Sequence, residues 1–222
     1  MQRLCGDFLL VLLSPDSQRP VVGGAAVKAG LAGAAIAAAV LDDRLVVDTD
    51  GRLRTTVPIA EVPDIWTEVL RRADGMKPKK AVARCGAGED FADRGGRLRD
   101  ATIANLLESG IIEDRTTRII GIPIRRHAVL QPHTRDAILT RLSTALDGEP
   151  GAPQDDVLLL LLSAVGALRT LFPNRDQRAL DARVTELRSA GVLADAVSQA
   201  LRDLDTAVMA AVVATTVVIA GS

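Results

Sequence analysis

One phrase of apolar and polar positions recurs along the chain. Apolar residues at helical spacing run into a short polar stop and then into a β-rich exit. It is written over residues 38–47 (Ala38 to Leu41, then Asp42, Asp43 and Arg44, then Leu45 to Val47). It returns over 105–112 (Leu106, Leu107, then Ser109 and Gly110, then Ile111 and Ile112) and, more weakly, over 186–193. Helix-stop-strand units suit helical adaptor domains and winged nucleic-acid readers better than metabolic enzymes, so the flanking elements decide between those classes.

Residues 4–13 read as a short buried helix stopped by Ser14, Pro15 and Asp16. Residues 22–41 are so rich in alanine and glycine that their helix must be central and closely approached, with Val27, Leu31, Ala34, Ala38 and Leu41 as its core stripe. Residues 45–48 and 53–57 flank Asp50-Gly51, the signature of a tight β-turn, and predict a hairpin. Asp64 is placed to cap a helix ended by Gly75, and 78–84 predicts another turn or two of helix. The polar stretch 85–96 reads as a loop or loose helix start. Residues 98–109 form a helix ended by Gly110 in the left-handed cap position, leading to strands at 111–112 and 119–124.

Helices are also expected over 134–146, 157–168, 175–189 and 194–220, with 147–151 as a linker. The segment 157–168 is apolar nearly all round and must be buried, with Asp155 and Asp156 supplying the negative charge its amino terminus favours. The expected architecture is mainly α: one helical domain over 1–222, around a central four-helix core, with two small β-hairpins.

Composition narrows the function. Apolar residues make up 48% of the 222 positions, enough for a substantial core, and the net charge of −1 gives no global attraction to polyanions. Any electrostatic partner must be held by a local patch. All but four of the 27 basic residues are arginine, the lysines being Lys28, Lys77, Lys79 and Lys80. Cys5 and Cys85 lack metal-ligand spacing, and a reducing, cytoplasmic location is expected. Residues 1–7 carry Asp7 ahead of the apolar run and match a secretory signal poorly. The longest apolar stretches fall short of the roughly 20 residues that span a bilayer, so membrane contact is expected to be peripheral.

Catalytic chemistry finds no foothold in the sequence. Gly86, Gly88, Gly95 and Gly96 lack the ending of a phosphate loop, and no serine sits in a nucleophile elbow. His127 and His133 read as solvated residues of an arginine-rich loop, without ligand spacing for a metal. Trp66 reads as a half-buried packing residue. No enzymatic activity, cofactor or metal is expected.

Binding chemistry has more support. From residue 115 to 135 the chain carries Arg115, Arg118, Arg125, Arg126 and Arg135 without one acid, around Ile119, Ile120, Ile122, Pro123 and Ile124. Such a basic hairpin with an apolar blade suits either an anionic membrane surface or a second subunit. Arg99 lies one turn before Ile103, in line with the apolar side of its helix, and must either pair with an acid on another helix or reach an external anion. Arg94 and Arg97 would form a cationic mouth at the same helix beginning.

These segments together resemble the Golgi phosphoprotein 3 family, adaptors that bind phosphatidylinositol 4-phosphate. The resemblance runs from residues 7–13 through Gly30-Leu31-Ala32-Gly33 and Leu41-Asp42-Asp43-Arg44-Leu45 to 105–112 and 211–214. It implies a mostly helical fold, no enzymatic activity, peripheral membrane association, and a hydrophobic hairpin over 115–124 that mediates insertion or self-association. Of the family's pocket arginines, one falls on Arg99, one on Gly96 with Arg97 beside it, and one on Ala32; the pocket tryptophan falls on Gly23. Lys28, one turn before Ala32, would restore a charge.

The expected partners are therefore an anionic phospholipid, including a phosphoinositide, a membrane surface, and a second copy of the chain. The lipid site is assigned to Arg99, Arg97, Arg94 and Lys28, and the membrane or oligomer hairpin to Arg118, Ile119, Ile120, Ile122, Ile124, Arg125 and Arg126. The alternatives are a winged-helix-like nucleic-acid binder, although no nucleic acid is expected at this net charge, and an oligomeric scaffold with a degenerate lipid site.

Overall fold

A computed structural model describes residues 1–58, 64–86, 94–119, 122–189 and 206–210. Its centre is set by the smallest side chains. Helix α1 (Gln2–Leu12) buries Phe8 against helix α2 (Gly24–Leu41), and a Cβ on Gly30 would lie 2.2 Å from the Phe8 ring. A Cβ on Gly33 would lie 2.7 Å from Val208 and 2.9 Å from Leu161. Such contacts bring neighbouring backbones nearer than larger residues permit, which is why the alanine-rich helix is central. By length and composition α2 is apolar enough to cross a membrane, with a mean hydropathy of 1.8, yet 78% of it is buried inside the protein.

Around α2 pack α1, α3 (Ile65–Ala73), α4 (Pro78–Gly86), α5 (Arg94–Glu108) and α7 (Pro153–Ala164); α6 (Pro132–Leu146) and α9 (Gln177–Ser189) lean on α7. A helical stretch at 206–210 places Val208 against α2. The fold is mainly α with two antiparallel two-stranded hairpins, as expected.

The recurring stop is a Schellman motif. At the end of α2 the Arg44 amide donates to Ala39 and the Asp43 amide to Val40, with Asp43 held at φ 53°. At the end of α5 Ile111 donates to Leu106 and Gly110 to Leu107, with Gly110 at φ 63°. Both close the orphan carbonyls of the last turn and fling the chain into a strand. A third copy of the motif lies at Gly166, where it breaks the single helix expected over 157–168 into α7 and the short α8 (Leu168–Leu171). The exit of the weak copy at 186–193, the segment 211–214 and most of 194–220 lie outside the described residues.

The first hairpin pairs β1 (Leu45–Val47) with β2 (Leu53–Thr55), Val47 opposite Leu53. Its turn is not the two-residue Asp-Gly turn expected, since only Gly51 has positive φ. Instead Asp48 organises five residues, its carboxylate accepting from the amides of Asp50 and Arg52 at 2.9 and 2.8 Å. The second hairpin is longer than expected: β3 (Ile112–Ile119) and β4 (Ile122–Val129) pair in register from Ile112 opposite Val129 to Ile119 opposite Ile122. It carries acids at its root, where Glu113 pairs with Arg115 at 2.5 Å.

Candidate functional site

Helix α5 starts at Arg94, a full turn earlier than expected, because residues 94–97 continue the same helical path. That extension changes what its arginines can do. Leu98, Thr102, Ile103 and Leu106 are buried, and Arg99 flanks this stripe with 35% of its side chain exposed. Its guanidinium lies 3.6 Å from the neighbouring carboxylate of Asp100. The expected partner on another helix is replaced by an exposed residue of the same helix, a weak pairing in water.

Arg97 is exposed and stands two residues from Arg99, about 200° round the helix, so the two do not converge on one pocket. Arg97 borders a void of about 10 Å³ with Glu68, Arg72 and Cys85, room for at most one water. The side chain of Arg94 lies outside the described residues.

The remaining pocket positions are decided by the end of α4. Ala32 is fully buried, and a Cβ on Gly86 would lie 3.1 Å from the Ala32 Cβ and 3.1 Å from the Lys28 carbonyl oxygen. The α4 terminus therefore sits directly on the site where the resemblance places an arginine, and no guanidinium fits beneath it. Lys28 is half-buried beside this contact. Gly23, in the tryptophan's place, is the exposed N-cap of α2 with open space around it.

The β3–β4 hairpin is rooted firmly and exposed beyond the root. Ile112 and Ala128 are buried, the Leu130 amide donates to Ile111, and Arg126 donates to the Ser17 carbonyl at 3.4 Å. Asp114, Arg115 and Thr116 are already solvent-exposed. Arg118, Ile119, Ile122, Pro123, Ile124 and Arg125 occupy the distal register, Arg118 opposite Pro123; their side chains, and Ile120 altogether, lie outside the described residues. Arg126 and Arg135 hold backbone carbonyls, Arg135 closing the Val11 carbonyl at the end of α1 at 3.2 Å. His127 is not a loop residue: it sits in β4 with Nδ1 2.8 Å from Asp114 across the ladder. His133 belongs to the first turn of α6.

A charged cavity missed by the sequence reading lies between α1, α2, α6 and α7, with a volume of about 280 Å³. Arg141 spans it, its Nε 3.2 and 3.3 Å from the two Asp155 oxygens and its Nη2 3.4 Å from Asp7. Asp155 stands with Asp156 in the first turn of α7, as expected; it makes no side-chain cap and is 5% exposed, paired with Arg141. Burial holds the Asp7 carboxyl above the usual carboxylate range, against the pull of Arg141 and Arg3. The signal was faint but present: Asp7 as the one acid of the apolar α1, and Asp155 beside Asp156 at the start of the apolar α7.

Trp66 is buried, at 6% exposure, not half-buried. Cys5 and Cys85 are both free and buried, and burial pushes the Cys5 thiol up to about 12. Among the described residues no group of His, Cys, Asp and Glu is arranged to hold a metal ion.

The family model for Golgi phosphoprotein 3 (GPP34) matches residues 4–204 of the 222. No curated protein matches the chain.

Proposed function

The chain belongs to the Golgi phosphoprotein 3 family, and we propose that it works as that family's adaptors do, as a non-enzymatic protein that docks peripherally on an anionic membrane from the cytoplasmic side. The β3–β4 hairpin is the contact that carries this reading. It is anchored at Ile112 and Ala128, exposed by residue 114, and distally composed of isoleucines flanked by arginines. Apolar side chains entering the interface and arginines on anionic headgroups act together, each arginine adding about 1 kcal/mol near such a surface. Arg94, Arg97, Arg99 and Lys28 add positive charge on α5 and α2, Arg97 and Arg99 standing about 200° apart round the helix.

Because Gly86 occupies the space over Ala32, the reading favours anionic lipid in general over a pocket selective for one phosphoinositide. Liposome flotation tests it with the full chain. Flotation on phosphatidylglycerol vesicles, absent on phosphatidylcholine and reduced in an Ile119→Ser, Ile122→Ser variant, is the expected result. No flotation on any anionic vesicle, including one with phosphatidylinositol 4-phosphate, overturns it.

A further inference from the structure

Three of the four lysines stand together at Lys77, Lys79 and Lys80. All three are exposed, and among the described residues none pairs with a carboxylate. Arginines do the pairing elsewhere: Arg71 and Arg72 hold Glu68, Arg175 holds Asp147, and Arg141 holds Asp155. Of the described acids ahead of α4, Glu68 is held by those two arginines and Asp74 accepts from the Thr55 amide at 3.0 Å; Glu89, Asp90 and Asp93, which follow the helix, lie outside the described residues.

Helix α4 turns Pro78, Ala81, Val82 and Cys85 inward. At 100° per residue, Lys80 lies about 30° and Lys79 and Arg84 about 70° from the direction opposite this buried stripe, with Lys77 just ahead of the helix. The solvent side of α4 thus holds three cations, Lys79, Lys80 and Arg84, with Lys77 just ahead of it, and the helix contains no acid. Its first turn also lacks any acid, although the positive end of the helix dipole disfavours lysine there. A sequence that keeps charges against the local electrostatic preference marks a functional surface.

We infer that this face of α4 is a docking surface for a bilayer rich in anionic phospholipid, recognised by charge density and not by headgroup shape. The inference rests on the membrane reading above and narrows its ligand class. Lysine is a compact, hydrated point charge on a flexible stem, suited to diffuse contact with mobile headgroups. The face is only about 14 Å long. Anionic lipids that diffuse laterally can gather beneath so small a patch.

The test is flotation of the full chain on phosphatidylcholine vesicles with and without phosphatidylglycerol. The variants are Lys77→Gln/Lys79→Gln/Lys80→Gln and the single Lys79→Gln, with helix content checked by circular dichroism. About fivefold weaker partitioning per lysine, on the order of a hundredfold for the triple variant, is expected, shrinking as salt rises. If the triple variant fails to fold, the fivefold loss in Lys79→Gln decides. Wild-type partitioning in a folded variant overturns the inference and leaves the membrane reading standing. No flotation of wild type overturns both. A lysine-dependent shift of duplex DNA without flotation assigns the face to nucleic acid and overturns the inference.

Discussion

Gly30→Ala tests the packing on which the fold rests. The new methyl would lie 2.2, 2.8 and 3.0 Å from three Phe8 ring carbons, where carbon atoms settle at about 3.5–4.0 Å, so the ring must withdraw by more than an ångström. Phe8 is fully buried and has nowhere to go. Overpacking of this kind costs about 1–3 kcal/mol, and so deep an overlap belongs at the upper end. Replacing glycine by alanine inside a helix returns about 1 kcal/mol. The net expectation is a loss of about 2 kcal/mol, or about 4–8 °C in Tm for a chain of this length.

The single buried tryptophan, Trp66, supplies a fluorescence signal for urea unfolding. Gly24→Ala is the internal control, since a Cβ there meets nothing within 4 Å and costs nothing in packing. Phe8→Leu in the Gly30→Ala background should be less damaging than Phe8→Leu alone, because the pair shares one space. Equal midpoints for Gly30→Ala and Gly24→Ala would refute the close approach of α1 and α2.

Asp43→Gly should stabilise by up to about 1 kcal/mol, because Asp43 holds the left-handed position of a Schellman motif that glycine adopts freely; a lower urea midpoint counts against the motif. Asp7→Asn should raise Tm at pH 7. The folded state holds the Asp7 carboxyl above its ordinary pKa of 3.8, so ionisation costs stability as pH rises through the folded value, and the advantage should vanish below pH 3.8; an advantage independent of pH refutes this cause. Neither Cys5 nor Cys85 should react with a thiol reagent at pH 8 until the chain is unfolded, and a fast-reacting thiol in the native protein contradicts their burial.

What was legible in the sequence was local. Glycine and alanine crowding announced the central helix; Asp64 was read as a cap, and its carboxylate accepts from the Thr67 amide at 2.7 Å; Gly110 was read as a left-handed stop and has that φ. Failures came where a partner lies far along the chain. Asp155 was rightly read as a helix-end charge, but its pairing with Arg141, across a loop, is visible only in three dimensions. His127 looked like a loop residue because the ladder that seats it beside Asp114 needs the whole hairpin register. The start of α5 was placed too late because Gly95 and Gly96 read as a break, yet the helix runs through them from Arg94. For the binding residues, the sequence supplied the arginines but not their directions, and the contact of Gly86 with Ala32 has no local signature.

The central question is whether the chain joins an anionic membrane through surface charge and the hairpin. Flotation of the full chain on phosphatidylglycerol vesicles across a salt series measures this. Partitioning that is strong at low salt, falls as salt screens the cations and is absent on phosphatidylcholine is the predicted result. A chain that stays at the bottom of the gradient with every anionic vesicle would contradict it.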